Sequence, residues 1–386
     1  MNTFLGYPRP DGRVGVRNHV AIITCSMYAN RVAEAVGHLV PQAIPIMHHL
    51  GIGQHGLDLA QTTRTLIGMG INPNVGACLV ISMGNESIDA ETLAHNISKT
   101  GKPVETVKIM ARGGTSAATR QGCLITKELV QKLSTCNREP CLMADLVIGL
   151  ECGGSDFTSG LASNPTLGEV TDRVVHAGGT AILSETTELI GAEHILARRS
   201  VSPVVAEHLT QIVQRYEARV QATGFDMRDG NPSPGNIAGG LTTIEEKSLG
   251  CVVKGGTTSV MKVMEYAELV SQKGLVVMDT PGNDVESVTG MVAGGAQIVL
   301  FTTGRGTPTG NPVAPVIKIT GNNHTAKNMA TNIDVDVSGI LTGDMTTTEA
   351  GEKLYRFLQE VASGTLVKAE EHGNREFAIH RIGMTL

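Results

Sequence analysis

The chain has 386 residues, more than one hydrophobic core usually organises, so two or three domains are expected. With 41% hydrophobic and 18% charged residues, 46 glycines, no tryptophan and 3% aromatics, it has a globular composition with aliphatic cores and many tight turns. A net charge of −6 without Lys or Arg runs excludes a polyanion-binding surface, and no apolar stretch approaches the roughly 20 residues of a membrane helix. With no apolar signal segment at the start, the expectation is a cytoplasmic protein with neither nucleic-acid nor membrane partners.

In chain order, the strand-like runs begin with HVAIITC (19–25), AIPIMH (43–48), ACLVIS (77–82) and VETVKI (104–109). Helical stretches such as NRVAEAVGHLV and TKELVQKLS lie between them. A weak boundary, NREPCLM, falls at 137–143, and ADLVIGL (144–150) and TAILSE (180–185) follow. Residues Ser202–Thr223 carry apolar positions at helical spacing behind a Ser-Pro start, which predicts one long amphipathic helix. The segment after it, GFDMRDGNPSPGNIAGGLTT, is rich in Gly, Pro and Asn and reads as an active loop or sub-boundary near 224–240. The runs GLVVMD, AQIVLF and PVIKIT complete the series. Strands alternating with helices predict an α/β fold: a Rossmann-like, parallel-sheet domain over 1–140, then a second α/β domain over 141–386.

Seven cysteines, scattered and without a CxxC pair, argue against a disulfide framework or a zinc knuckle and read mainly as reduced core residues. GxGxxG or GxxxxGK[ST] after a strand, GxSxG and HExxH are all missing, which removes the main support for dehydrogenase, P-loop, hydrolase-elbow and zincin readings.

In open parallel sheets ligands bind beyond the carboxyl ends of the strands, and here those ends are polar. They read HHLGIGQHG (48–56), MGNES (83–87), ECGGSD (151–156), ETTE (185–188), DTPGND (279–284) and TTGRGTPTG (302–310). Singly each passes for a glycine-rich turn; in succession they outline a site for a small anion. His48 and His49 sit at a strand end, where an imidazole can serve as general base or simply line the surface. Glu185 and Glu188 read either as a metal-binding carboxylate pair or as helix N-terminal acids. Arg13, Arg17 and Arg305 stand beside glycines, where a guanidinium fork can reach a carboxylate, and Arg305 has glycines on both sides. Lys247 either neutralises a developing enolate or pairs with Glu245 and Glu246.

The stretches DGRVGVRN (11–18), LECGGSDFTSGLASNPTLG (150–168), ETTELIGAEH (185–194), GNIAGGLTTIEEKSLG (235–250), MDTPGND (278–284), FTTGRGTP (301–308) and PVIKITGN (315–322) resemble the altronate and galactarate dehydratases over essentially the whole chain. The resemblance implies a hydro-lyase that converts a sugar acid or similar 2-hydroxy carboxylate to a 2-keto acid. The related sulfolactate sulfo-lyases and a non-catalytic binding homologue are the alternatives. CGGSD, MDTPG and TTGRG are the dehydratase forms of the motifs. The resemblance also implies a large subunit whose small antifreeze-like domain is a separate chain, hence a hetero-oligomer.

It further implies iron for the family, so that a divalent metal such as Fe(2+) held by oxygen and imidazole ligands, or a site with no metal, is the expectation here. Of the three cysteines expected in an iron-sulfur arrangement only Cys152 matches, the other positions being Ile52 and Asn85, so that soft-ligand set is incomplete. The roles expected are His48 as base, with Arg17, Arg305 and Lys318 at the carboxylate or enolate. His49, Gly153, Gly154, Ser155, Asn236 and Thr303 are expected to contact substrate, and Cys152, Asp156, Glu185 and Asp279 the metal or leaving group.

Overall fold

Strands buried on both faces need apolar residues at every position, and the continuous runs of the sequence form two parallel sheets. The computed structural model describes residues 2–386. Its strands are β1 (Thr3–Pro8), β2 (Val14–Gly15), β3 (His19–Thr24), β4 (Ala43–Ile46), β5 (Val75–Ser82), β6 (Val104–Lys108) and β7 (Glu139–Leu142) in the first part of the chain. The second part contributes β8 (Val147–Cys152), β9 (Thr180–Leu183), β10 (Val260–Met264), β11 (Gly274–Met278), β12 (Ile298–Thr302), β13 (Val316–Thr320) and β14 (Val335–Asp336). One sheet has the order β4-β3-β5-β6 and the other β10-β11-β9-β8-β12-β13-β14, and every pairing in both is parallel. The chain is therefore α/β, as its alternation predicts. A third sheet, β2-β1-β7, is antiparallel and brings the start of the chain beside the segment that enters β8. It was invisible in the sequence because GYPRP and EPCL carry the Gly and Pro that ordinarily mark turns.

Helix 164–176 covers one face of the large sheet through Leu167, Val170 and Val174, which pack with Leu150, Leu183 and Leu300. Helix 284–293 covers the other face, where Val288 and Val292 join Val299, Phe301, the first sheet's Ile23 and Val80, and Leu66 of helix 56–71 in one core. The two sheets thus share buried apolar surface, reinforced by amides. Asn72 Nδ2 donates to Val292 O at 2.8 Å and Ala296 O at 2.9 Å, while Asn74 Nδ2 donates to Gln297 O at 2.8 Å.

The long helix spans Pro203–Gln221, with the Ser202 hydroxyl capping Val205 N and proline in its first turn. Leu209, Ile212 and Val213 are its buried stripe, and its later turns carry Arg215, Tyr216 and Arg219 to the carboxyl edge of the large sheet. The Gly- and Pro-rich segment behind it folds back over the end of β8. There Phe157 N donates to Gly239 O at 3.0 Å and Asn236 Nδ2 to Ser155 O at 2.8 Å. The last residues, after Lys368–Glu371, run without regular structure to the first sheet's helix 56–71.

Candidate functional site

From β8 the chain moves through helix 164–176 to β9 on one side, whereas β12 flanks β8 on the other. The order reverses between β8 and β12, and at such a switch point diverging loops leave a crevice. Gly153 N donates to Thr302 O at 3.0 Å and Arg305 N to Gly154 O at 2.9 Å, so the loops after β8 and β12 are tied together. A Cβ at Gly153 would overlap the Asp284 carboxylate, which is why the chain has glycine there. The crevice opens into a cleft of ≈ 500 Å³ whose wall includes Gly153, Ser155, Lys247, Asp284 and Arg305.

At its base Lys254 is 1% exposed, and its Nζ lies 2.6 Å from Glu185 Oε2 and 2.8 Å from Cys152 Sγ. Burial works against the ammonium, but the negative groups around it outweigh that and hold its pKa well above the usual lysine range. Cys251 Sγ is 3.4 Å from Cys152 Sγ, and this neighbour together with burial pushes the Cys152 thiol well up. Glu185 adopts φ +65°, a left-handed conformation that costs a non-glycine residue about 1 kcal/mol or more. Its backbone N–H donating to Thr280 Oγ1 at 2.7 Å and its carboxylate accepting from Cys152 N at 2.9 Å keep it there.

Higher on the wall Lys247 Nζ donates to Glu188 Oε1 and Asn231 Oδ1, each at 2.9 Å; its partner is Glu188 rather than Glu245 or Glu246. Asp284, in the first turn of helix 284–293, is raised to about 7 by burial and by the charge of Glu185. It is a carboxyl that takes or gives a proton near neutrality. The exposed Arg305 guanidinium lies where a Cβ on Gly235 would stand and has no hydrogen bond or ion pair among the described residues. Its fork is free for an anion.

Of the residues singled out in the sequence, the structure brings Cys152, Gly153, Gly154, Ser155, Glu185, Asn236 and Arg305 to this cleft. Thr303 Oγ1 accepts from Gly306 N at 2.9 Å and shapes the loop that carries Arg305. His48, His49, Arg17, Lys318, Asp156 and Asp279 are not on the cleft wall. His48 lies in the first sheet's unit, with Nε2 donating to Thr24 O at 2.8 Å and Nδ1 accepting from Leu50 N at 3.1 Å, so neither nitrogen is left for a substrate. Burial lowers its pKa to about 4. His49 is exposed beside it. Arg17 grips both oxygens of Glu370 at 2.7 Å and the carbonyls of Val361 and Thr365. Lys318 is fully buried in β13, its Nζ unpartnered.

The residues named for a metal do not converge either. Asp156 Oδ1 accepts from Thr158 and Ser159, and its Oδ2 from Asn322 Nδ2 at 2.8 Å. Asp279 is held by Arg215 at 2.6 Å and by Thr186 Oγ1 at 2.6 Å. Between Cys152 and Glu185 the Lys254 ammonium occupies the place a cation would take. Among the described residues no group of three or more His, Cys, Asp or Glu is arranged to hold a metal ion. This arrangement does not fit the divalent metal implied by resemblance.

Lys254, Cys251, Asp284 and His380 are the site residues that reading the sequence missed. Asp284 lies inside DTPGND together with Asp279, and a lysine between apolar and glycine residues in VVKGG is a signal of burial. Nothing in the tail marked His380.

These features define an α/β protein with a polar cleft at the switch point of a parallel sheet. Residues 143–385 match the model of the D-galactarate/altronate dehydratase C-terminal domain, and residues 6–134 that of the D-galactarate dehydratase/altronate hydrolase second domain. The chain is 40% identical to the (2R)-sulfolactate sulfo-lyase subunit beta of Chromohalobacter salexigens, over 98% of this chain and 97% of that one. It is 33% identical to the altronate dehydratase of Bacillus subtilis (100% and 78%) and 32% identical to the L-threo-forming galactarate dehydratase of Escherichia coli (94% and 73%). The chain belongs to the galactarate/altronate dehydratase family and is an enzyme of the lyase class. Among the described residues no helix is long and apolar enough to cross a membrane.

Proposed function

We propose that the chain dehydrates a sugar acid or related small 2-hydroxy carboxylate to a 2-keto acid by loss of the α-proton and elimination of the β-hydroxyl. The observation that carries this reading is the pairing, in one cleft, of an unpartnered guanidinium with a carboxyl poised near neutrality. Arg305 and the backbone N–H groups of Gly154 and Ser155 receive the substrate carboxylate. Lys247 and Lys254 supply positive potential as charge moves from the α-carbon to the enediolate oxygens. Asp284, in its protonated form, gives its proton to the departing hydroxyl, which leaves as water; the resulting enol ketonises to the product.

A second reading has sulfite as leaving group in place of water, and the end-to-end 40% identity with a sulfo-lyase subunit favours it. That relative's designation as a subunit also supports a hetero-oligomer, with a small separate chain as the proposed partner. The test is to isolate the chain with its native partners and assay 2-keto acid, water-elimination products and sulfite over a panel of sugar acids and a sulfonated 2-hydroxy acid. Keto acid without sulfite is expected. Sulfite release selects the second reading, and no keto acid from any member refutes both.

A further inference from the structure

The tail after Lys368–Glu371 has no helix or strand to order it, yet it is tied down at nearly every residue around position 380. Gln61 Nε2 donates to His380 O at 2.7 Å and His380 N donates to Tyr266 Oη at 3.3 Å. Arg381 pairs with Asp58 at 2.8 Å, whose other oxygen accepts from Ile382 N and Gly383 N, and Leu386 N donates to Gly53 O at 3.0 Å. Ordering an irregular chain end costs about 1–2 kcal/mol per residue in backbone entropy, so this many clamps hold the segment in one defined course.

They fix the His380 imidazole on the wall shared by the cleft and an adjoining cavity of ≈ 290 Å³. Nδ1 lies 3.4 Å from Glu286 Oε2, and the ring leans on Tyr266 with centroids 5.7 Å apart. Nε2 has no hydrogen-bond partner among the described residues. Glu286 stands two positions after Asp284 in the same helical turn, and both line the cleft. The adjoining cavity brings Arg64, Arg215, Arg219, Glu265, Asp279 and Tyr216 near the ring, with Arg215 neutralised by Glu265 and Asp279. An imidazole on the cleft wall with a carboxylate 3.4 Å from one nitrogen and no partner among the described residues on the other has the elements of a general base.

We propose that His380, delivered by the C-terminal tail and oriented by Glu286, is the catalytic base that removes the substrate's α-proton. The C–H bond breaks, the proton goes to Nε2, and the electron pair passes into the enediolate. The β-hydroxyl leaves as water with the Asp284 proton. The imidazolium returns its proton to the former β-carbon as the enol ketonises, and the enol proton restores Asp284. This assignment rests on the elimination reading above.

The test uses the protein in its native assembly with His380→Gln and His380→Ala. Turnover should fall about 10²- to 10⁴-fold, the contribution of a positioned base. Exchange of the α-hydrogen with solvent deuterium should be lost with it, while the melting temperature is unchanged. Added imidazole should restore part of the His380→Ala rate, which a purely structural role would not allow. Glu286→Gln should lower turnover less than loss of the histidine. If wild type turns over and His380→Gln stays within threefold of it, or if the loss comes with a lowered melting temperature and no imidazole rescue, the assignment is overturned. A wild type inactive on every panel substrate would instead sink the elimination reading.

Discussion

Asp284→Asn should make the protein more stable and less active, and the stability gain should depend on pH. Asp284 is held at about 7 in the folded protein by burial and Glu185, against an ordinary value of 3.8. A group whose folded pKa is raised is penalised where the unfolded chain would ionise, so the wild type loses stability as pH rises from about 4 to 7, and the loss is complete above that. At about 1.4 kcal/mol per pH unit, the penalty is about 2 kcal/mol at pH 5 and about 4 kcal/mol at pH 8, as upper values. An asparagine has no charge to pay for, so the stability difference between variant and wild type should widen by about 2 kcal/mol between those pH values. Urea unfolding of both proteins at pH 5 and pH 8 measures it, and turnover should fall about 10²-fold or more in the same variant. A difference that stays constant across this range would refute a carboxyl poised near neutrality.

Lys318→Met should stabilise the protein at pH 7 by up to about 3 kcal/mol and leave turnover unchanged. Burial depresses Lys318 to about 8, so the cost of its charge is full below that pH and vanishes as pH approaches the ordinary lysine value. The variant's unfolding midpoint should therefore exceed that of the wild type at pH 7 and approach it at pH 10. Arg305→Lys should raise KM about 10-fold or more with little change in stability, because a point charge replaces a fork able to hold both carboxylate oxygens. Steady-state kinetics on the accepted substrate would show it, and an unchanged KM would remove Arg305 from the anion site.

The sheets were legible because β3, β5, β8, β9, β12 and β13 are buried on both faces, so almost every residue in them had to be apolar. β10, VMKVM, escaped because it is an edge strand with Met261 and Lys262 only half-buried, and β14 has two residues. The site was legible as far as parallel-sheet geometry dictates it: glycines and polar groups collect at the carboxyl ends, as the loops after β8 and β12 do. What stayed hidden came from distant chain. Lys254 reaches Cys152 across about a hundred positions, and Arg17 stands in a motif resembling that of the family yet spends its fork on Glu370. Local spacing does not reveal whether a charged side chain finds a partner in its own protein or leaves itself for a ligand.

The anchoring of residues 380–386 to Asp58, Gln61 and Gly53 also sets an order of events in synthesis. Both sheets can close while the end of the chain is still inside the ribosome, because neither draws a strand from beyond Asp336. The cleft receives its histidine last, when the final residues emerge and strap across to a helix made hundreds of residues earlier. If His380 is the base, a nascent chain can thus have both sheets closed before its cleft holds that base.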